Sequence, residues 1–534
     1  MDSQKTTKFD AKEYGKFSPL MRDYLSQDSK VKEFYNLFPN EENLVQQAKE
    51  KLNVYQNREL LHSSLTNQLS GLKLSEKQKQ NLDFLQLSNT VTITTGHQLN
   101  LLTGPLYFFY KILQTIKSCE HLNQQHPEIH FVPIFWMATE DHDFEEINHF
   151  FYQNQKFQWN RPSEGAVGRM NLDGIQEVFE VFGQCLPDSK NAKELQELIS
   201  DSYLNSSSLT EATRKLVQAL FADYGLLMID GDDSALKKCM ISSFEEDLTQ
   251  HTAFQKINET IEKFQELGYD AQVNPREINL FYVEKSSQRE RIVLEENKYK
   301  VLNANLEFSQ EEILSELRNH PENFSPNVVL RPLYQETILP NIAYIGGTGE
   351  MAYWLELKSF FDSQNIPFPI LLVRNSVLLL SEKQKRKLEN LNISYQDLFL
   401  PLYQLVNQNI EQNSEVSIDF ESYQETLEKM FLELEEKATQ TDLSFSKMVK
   451  AQQKKQLAGL EKMKNRLTKA EKRKQAERVE RIEILYAELF PNGNLQERIS
   501  NFSEFYVEYG VEFVNEIYQT IEPIDFRFSI KTLP

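Results

Sequence analysis

The chain has 534 residues, enough for two to four domains with a sizeable buried core. Its 58 basic and 79 acidic residues give a net charge of −21, which disfavours a general nucleic-acid-binding protein and favours a small molecule or another protein as partner. No apolar run is long enough to span a bilayer, no secretion signal precedes the first elements, and three scattered cysteines match no zinc or redox pattern, so we expect a cytoplasmic protein without membrane association.

The first third of the chain predicts a βαβ unit behind a helical segment at 1–85. The β-branched run Val91–Thr95 predicts a strand, which is followed by the glycine-containing loop Gly96–Pro105. Leu106–Lys117 is apolar on most sides and predicts a buried helix, and Phe131–Met137 predicts the second strand. Parallel strands of one βαβ unit end at the same edge of the sheet.

An acidic cluster follows the second of these strands. Glu140–Glu146 packs five carboxylates and His142 into seven residues, directly after an apolar run. Because ligands of open α/β sheets bind beyond the carboxyl ends of the strands, the two loops Gly96–Gln98 and Glu140–Asp143 are predicted to line one crevice.

The middle of the chain predicts further core strands separated by an insertion. Residues 150–220 are mixed and polar and are interpreted as a connecting insertion. Tyr224–Asp233 predicts a core strand that ends in acidic residues, and Ser234–Leu267 predicts one long helix. Asn279–Val283 and Arg291–Leu294 predict paired strands around a polar turn.

Two arginines and a glycine loop are predicted to reach the same edge. Asn327–Glu336 predicts a strand that carries Arg331, and Pro369–Val373 predicts a last core strand with Arg374 at its exit. Planar guanidinium groups bind carboxylate or phosphate with two parallel hydrogen bonds.

The glycine loop Gly346–Glu350 lies between a predicted strand, Ile342–Ile345, and a predicted helix, Met351–Phe361. Free backbone N–H groups at such a junction can hold an anion, although a tight strand-to-helix turn has the same composition.

From Ser381 onward the composition is typical of long helices, with little Gly or Pro and recurring Leu. Apolar residues at spacings of three and four predict two helices in an antiparallel coiled coil that turns near Thr439–Phe445. The domains are therefore predicted as 1–380 and 381–534, with the tail packing back on the core. The basic stretch Lys447–Arg481 is interpreted as a solvated helix face.

Three functions remain open from the residues alone. His97, Asp141, His142 and Asp143 could hold a divalent metal in a metal-dependent hydrolase, but no HExxH or HxH spacing supports this. The same residues could instead bind and activate a substrate beside the arginines. The third alternative is a non-catalytic scaffold that works through its coiled coil.

The motifs together resemble the bacillithiol biosynthesis cysteine-adding enzymes over essentially the whole chain. The matching segments are Thr95–Gln98, Leu101–Tyr107, Tyr110–Lys111, Val132–Pro133, Phe135–Trp136, Glu140–Asn148, Asn327–Val329, Arg331–Leu333, Gln335–Glu336, Gly346–Gly347, Gly349–Glu350, Ala352–Trp354, Arg374–Ser376 and Leu495–Arg498.

The resemblance implies an α/β fold with a Rossmann-like, nucleotidyltransferase-like parallel-sheet core, connecting insertions and a C-terminal coiled coil that forms a homodimer. It implies a ligase that joins the carboxyl of cysteine to the amine of glucosaminyl-malate, giving the low-molecular-weight thiol bacillithiol. Amide formation requires an activated carboxyl, so a nucleotide, ATP or ADP, is expected, whereas a tightly bound metal is not. Thr95–Gln98 departs from the HIGH signature of the nucleotidyltransferase group.

The resemblance and the predicted crevice together give the candidate site. The expected catalytic residues are His97, Asp141, His142 and Asp143. The expected substrate- or nucleotide-binding residues are Gly96, Gln98, Thr103, Gly104, Tyr107, Lys111, Trp136, Arg331, Gln335, Gly346, Gly347, Gly349, Glu350, Tyr353 and Arg374.

Overall fold

A computed structural model describes residues 6–10, 17–162, 165–283, 288–441 and 443–534. The chain divides into two compact units. The first comprises Met1–Leu378 and Leu495–Lys531, and the second comprises Leu379–Asn494 and Thr532–Pro534. No helix among the described residues is long and apolar enough to cross a membrane.

The elements up to the middle of the chain alternate between helices and strands. In chain order they are β1 (Thr6–Phe9), α1 (Pro19–Leu25), α2 (Glu41–Val54), α3 (Arg58–Leu69), α4 (Glu76–Phe84), β2 (Thr90–His97), α5 (Tyr107–Gln125), β3 (His130–Met137), α6 (Phe144–Ile147), β4 (His149–Tyr152), β5 (Gln155–Gln158), α7 (Ile175–Cys185), α8 (Lys190–Ile199), α9 (Leu209–Phe221), β6 (Leu227–Asp230), α10 (Ser234–Lys237), α11 (Ile241–Thr249) and α12 (Thr252–Glu266).

The second half begins with short strands and ends mainly in helices. Its elements are β7 (Leu280–Val283), β8 (Arg289–Glu295), β9 (Lys298–Val301), β10 (Leu306–Phe308), α13 (Gln310–Asn319), β11 (Phe324–Pro326), α14 (Leu330–Ile338), β12 (Asn341–Gly346), α15 (Thr348–Leu355), α16 (Lys358–Ser363), β13 (Ile370–Val373), β14 (Ser376–Leu380), α17 (Glu382–Asn390), α18 (Leu402–Gln412), α19 (Glu421–Thr439), α20 (Leu443–Lys474), α21 (Ala476–Leu489), α22 (Ser503–Tyr509), α23 (Glu512–Thr520) and β15 (Phe528–Thr532).

A parallel five-stranded sheet is the centre of the first unit. Its strand order is β13-β12-β2-β3-β6, and each neighbouring pair is parallel. The strand order reverses between β2 and β12, as in a doubly wound Rossmann-like sheet. The predicted βαβ unit of β2, α5 and β3 is confirmed, and the carboxyl ends of all five strands lie at one edge of the sheet.

Apolar residues cover the sheet and explain why these segments form buried strands. Val91, Ile93 and Ile345 are fully buried and pack with residues of the flanking helices. Fully burying one Val, Ile or Leu side chain stabilises the fold by about 1.5–3 kcal/mol. These three side chains lie on one face of the sheet, and the core that they form with the helices holds the strands from that face.

The predicted strand at Asn327–Glu336 is wrong, because most of this segment is helical. The carbonyl of the Asn327 side chain accepts the backbone N–H groups of Val329 (2.9 Å) and Leu330 (3.2 Å), which starts the first turn of α14. The strand was predicted because Val328 and Val329 are β-branched residues, which favour strands. Arg331 consequently lies in the first turn of a helix and not at the end of a strand.

The long helix predicted at Ser234–Leu267 is also interrupted. Helices α11 and α12 are separated by His251, whose φ of +55° is incompatible with a continuous right-handed helix. The predicted strand pair is confirmed, since Phe281 of β7 lies opposite Arg291 of β8 in an antiparallel sheet. That sheet has the order β10-β9-β8-β7-β11, and the turn at 284–287 lies outside the described residues.

The second unit contains the predicted antiparallel helix pair. Helix α19 ends at Thr439 and α20 begins at Leu443, within the predicted turn. Phe431, Ala438 and Val449 are buried between the two helices. Helix α20 ends at Lys474, and α21 continues as a separate helix after Gln475.

A buried ion pair connects the segment after β13 with the C-terminal part of the first unit. A guanidinium N–H of Arg374 donates to Glu497 at 2.7 Å, and the Val377 backbone N–H donates to the same carboxylate at 3.2 Å. Only 6% of the Arg374 side chain and 2% of the Glu497 side chain are exposed to solvent. Arg374 is thus already paired inside the protein.

Replacing Glu497 by Ala is expected to lower the free energy of unfolding by about 3–5 kcal/mol, because Arg374 would remain buried without its counter-ion. Chemical denaturation measures the change. The matched control is Asp188→Ala, which removes the exposed partner of Lys193 and should leave stability unaltered. Equal stabilities of both variants would contradict a structural role for the buried pair.

Candidate active site

A cavity of about 670 Å³ opens at the carboxyl edge of the central sheet. It lies in the first unit, where the loops after β2, β3, β6, β12 and β13 converge. The predicted residues that line it are Gly96, His97, Gln98, Tyr107, Lys111, Trp136, Asp141, His142, Arg331, Gly347, Gly349, Glu350, Tyr353 and Arg374. The structure therefore brings together the two loops that chain order placed at one edge.

Five predicted residues do not line this cavity: Thr103, Gly104, Asp143, Gln335 and Gly346. The backbone of Thr103 and Gly104 turns with φ of +66° and +65°, and the Gly104 carbonyl accepts a hydrogen bond from the Asn501 side chain. Gln335 is fully buried, and its side-chain oxygen accepts a hydrogen bond from Arg331. Asp143 is exposed to solvent. These residues shape or flank the cavity instead of facing it.

The imidazole of His97 lies at the end of β2 beside two aromatic rings. Its ring centroid is 5.4 Å from that of Tyr107 and 5.3 Å from that of Phe108. Burial, aided by the positive charge of Lys111, lowers the pKa of His97 to about 3. Its Nε2 is buried and has no hydrogen-bond partner among the described residues. His97 is therefore a neutral imidazole whose Nε2 has free hydrogen-bonding capacity.

A carboxylate of the protein itself, that of Glu350, takes the position in the glycine loop Gly346–Glu350 that was predicted to bind an anion. The Gly347 backbone N–H donates to Glu350 at 2.9 Å, and the Tyr344 hydroxyl donates to its other oxygen at 2.9 Å. Lys111 donates to Glu350 at 2.8 Å and to the Gly96 carbonyl at 2.6 Å. Burial raises the pKa of Glu350, but the Lys111 ion pair outweighs it and holds the pKa below its usual value. This loop is thus capped internally by an ionised Glu350.

Carboxylates gather on the side of the cavity formed by the loop after β3. The Gln98 side-chain N–H donates to Asp141 and Glu146, both at 2.8 Å. Glu140 is paired with the buried Lys237 at 2.7 Å, and burial raises its pKa despite that pairing. This acidic wall is suited to bind an ammonium group or hydroxyl groups.

His142 is held by an arginine that comes from the antiparallel sheet. A guanidinium N–H of Arg289 donates to Nδ1 of His142 at 2.8 Å, while Arg289 also donates to the Ser325 hydroxyl. A guanidinium can only donate, so Nδ1 must accept and the proton of the neutral imidazole resides on Nε2. Burial, together with Arg289, lowers the pKa of His142. His142 therefore presents a hydrogen-bond donor and not a base.

The comparisons with known proteins agree with this architecture. The family profile described as "Bacillithiol biosynthesis BshC, N-terminal Rossmann-like domain" matches residues 5–375, and "Bacillithiol biosynthesis BshC, C-terminal coiled-coil domain" matches residues 377–533. The chain belongs to the BshC family.

Two similar BshC relatives are from Flavobacterium, and each bears the name "Putative cysteine ligase BshC". The protein of Flavobacterium johnsoniae is 51% identical, over 97% of this chain and 98% of its own length. That of Flavobacterium psychrophilum is 49% identical, over 97% of each chain. A BshC protein of the same name from Bacillus cytotoxicus is 26% identical over 93% of this chain and 95% of its own length, so the similarity spans the full chain even at low identity.

Several cavity residues of this BshC chain were absent from the predicted site: Glu146, Arg289, Tyr344 and Arg498. Glu146 lies in the acidic run after β3, and Arg498 lies in a motif that supported the family resemblance, so the sequence contained a signal for these two. Arg289 had none, because the antiparallel sheet brings it to His142 across 147 positions of sequence.

The described residues give no support to the metal-dependent hydrolase alternative. They contain no group of three or more His, Cys, Asp or Glu side chains placed to hold a metal ion. Nδ1 of His142 is also committed, since it accepts from Arg289. The arrangement is better suited to binding organic cations and anions on opposite walls.

We expect the His97 imidazole to remain neutral at every pH above about 4, because its folded-state pKa is lowered to about 3. Nuclear magnetic resonance of ring-labelled histidine measures this directly. The His97→Ala variant, which lacks this ring, is the control that assigns the signal. A His97 titration near neutral pH would contradict the burial of this ring.

Proposed function

We propose that this chain is a cysteine ligase of bacillithiol biosynthesis. It joins the carboxyl of cysteine to the amine of glucosaminyl-malate and acts in the cytoplasm. Membership of the BshC family and the names of the full-length relatives support the reaction. The single structural observation that carries it is the cavity with basic and acidic walls at the carboxyl edge of the sheet.

The acidic wall supplies the group that an amine substrate needs. An amino sugar enters as an ammonium ion and must lose a proton before its nitrogen can attack a carboxyl carbon. Asp141 and Glu146, aligned by Gln98, provide carboxylate oxygens that bind the ammonium and the sugar hydroxyls. Proton acceptance in this proposal falls to a carboxylate of this wall and not to His142, whose free nitrogen is a donor.

His97 is suited to the opposite task, which is stabilisation of negative charge. Attack of the amine on the activated carboxyl places negative charge on the former carbonyl oxygen. A neutral imidazole with an unpaired Nε2 can donate to that oxygen without prior loss of a protein hydrogen bond. Its low pKa also keeps it from adding a full positive charge beside Lys111.

The proposal includes a nucleotide, because a carboxylate does not form an amide without activation. Transfer of a phosphoryl or nucleotidyl group from a nucleoside triphosphate to the cysteine carboxylate would supply the leaving group. Lys111 and the N-terminus of α15 are suited to phosphate in charge and position. Both now contact Glu350, so a phosphate bound there would have to share Lys111 with this carboxylate.

Pairing of two copies through the antiparallel helices α19 and α20 is also part of the proposal. Large apolar side chains are exposed on this pair, including Tyr423, Leu432 and Met448. Contiguous exposed apolar surface is typical of protein–protein contacts.

A cell that lacks this gene is expected to contain no bacillithiol and to accumulate glucosaminyl-malate. Mass spectrometry of thiol extracts measures both compounds. Purified protein supplied with cysteine, glucosaminyl-malate and ATP should form the thiol, and omission of ATP should abolish it. A normal bacillithiol level in the deletion strain would exclude the proposed reaction.

His97→Ala is expected to reduce product formation by about 10²–10³-fold with little change in stability, since Nε2 would be lost as a donor to the developing oxyanion. The reaction is followed by the rate of product appearance. His62→Ala, which removes a histidine that is hydrogen-bonded to Gln86 and does not line the cavity, is the matched control and should retain full activity. Retained activity of His97→Ala would remove His97 from the mechanism.

A further inference from the structure

The basic side chains of the cavity differ in whether the protein already provides them with a partner. Lys111 is paired with Glu350, and Arg374 with Glu497. Arg289 donates to Ser325, Pro326 and His142. Arg331 donates to the Tyr353 hydroxyl at 3.0 Å and to Gln335 at 3.3 Å. Among the described cations that line the cavity, Arg498 is the one whose side chain has no hydrogen-bond or ion-pair partner.

The backbone around Arg498 is nevertheless fixed to the wall of the site. The Leu106 N–H donates to the Ser500 carbonyl at 2.9 Å. The Asn501 side chain donates to the carbonyls of Leu102 and Gly104 at 2.7 and 2.6 Å. These bonds fix the segment that carries Arg498 to the loop after β2. The exposed Arg498 side chain therefore extends from a backbone that is held in place.

The charge of Arg498 lies on the same wall as Tyr107. The Arg374 guanidinium stands 5.0 Å from the Tyr107 ring centroid. Burial raises the pKa of the Tyr107 phenol, and the positive charges of Arg374 and Arg498 oppose the rise. Because Arg374 is neutralised by Glu497, the net positive charge of this wall that is available to a ligand comes from Arg498.

We infer that Arg498 binds a carboxylate of the malate part of the amine substrate, an inference that rests on the proposed function. The reaction converts the cysteine carboxyl into an uncharged amide, so a cation that bound it would lose its partner during turnover. Both malate carboxylates keep their charge from substrate to product. An exposed arginine that lines the cavity and has no partner among the described residues matches such a permanent anion. Arg498 thereby selects a dicarboxylate-bearing sugar over a neutral glycoside.

The test measures the dissociation constants of glucosaminyl-malate and of cysteine by isothermal titration calorimetry, with the full-length chain. Arg498→Gln is expected to weaken glucosaminyl-malate binding about 10–100-fold and to leave cysteine binding within twofold of the wild type. Arg498→Lys should recover part of the affinity, since a lysine keeps the charge and loses the two-point geometry. Arg318→Gln, an exposed arginine paired with Glu245 and absent from the cavity lining, should bind both substrates like the wild type.

Thermal unfolding of Arg498→Gln is expected to match the wild type, because no partner of the side chain is lost. Unchanged glucosaminyl-malate affinity in Arg498→Gln, with a wild type that binds it, would overturn the role of Arg498 and leave the proposed reaction standing. A selective loss of cysteine affinity would likewise overturn it. A wild type that fails to bind glucosaminyl-malate at all would contradict the proposed reaction together with this inference.

Discussion

The ion pair between the buried Lys111 and the partly exposed Glu350 is the interaction on which the cavity depends. Lys111 comes from the helix after β2 and Glu350 from the helix after β12, the two strands between which the strand order reverses. Lys111 also donates a hydrogen bond to the Gly96 carbonyl, and Glu350 also accepts one from the Gly347 N–H. One ion pair therefore fixes the geometry of both loops that leave the sheet at the switch point.

This pairing carries an electrostatic cost that the surrounding groups offset. Desolvation acts against the charge on each partner, lowering the pKa of Lys111 and opposing the ionisation of Glu350. The Tyr344 hydroxyl and the Gly347 N–H complete the hydrogen bonding of the carboxylate, which is what a buried ion pair requires to be tolerated. The nearby His97 remains neutral because burial lowers its pKa, and the positive charge of Lys111 lowers this pKa further.

The sheet and its edge could be predicted because they follow from local pattern and chain order. Val91–Thr95 and Phe131–Met137 are apolar or β-branched runs, and a parallel connection between them forces His97 and Asp141 to one side. The helix that carries Arg331 was missed because the Asn327 side-chain carbonyl, which accepts two backbone N–H groups, overrides the strand preference of two valines. Arg289 was missed because the antiparallel sheet brings it to His142 across 147 positions of sequence, which no local pattern records.

The charged groups of the cavity differ in whether an oppositely charged residue of the protein pairs with them. On the acidic wall, Asp141 and Glu146 share the Gln98 amide as a donor, Asp141 also accepts from the backbone N–H groups of His142 and Asp143, and no described lysine or arginine forms an ion pair with either carboxylate. On the opposite wall, internal carboxylates compensate Lys111 and Arg374. A ligand in the cavity therefore meets two carboxylates and the guanidinium of Arg498, which has no partner among the described residues. A molecule with both an ammonium group and carboxylates can pair with all of these groups, whereas a simple amine or a simple acid pairs with only some of them.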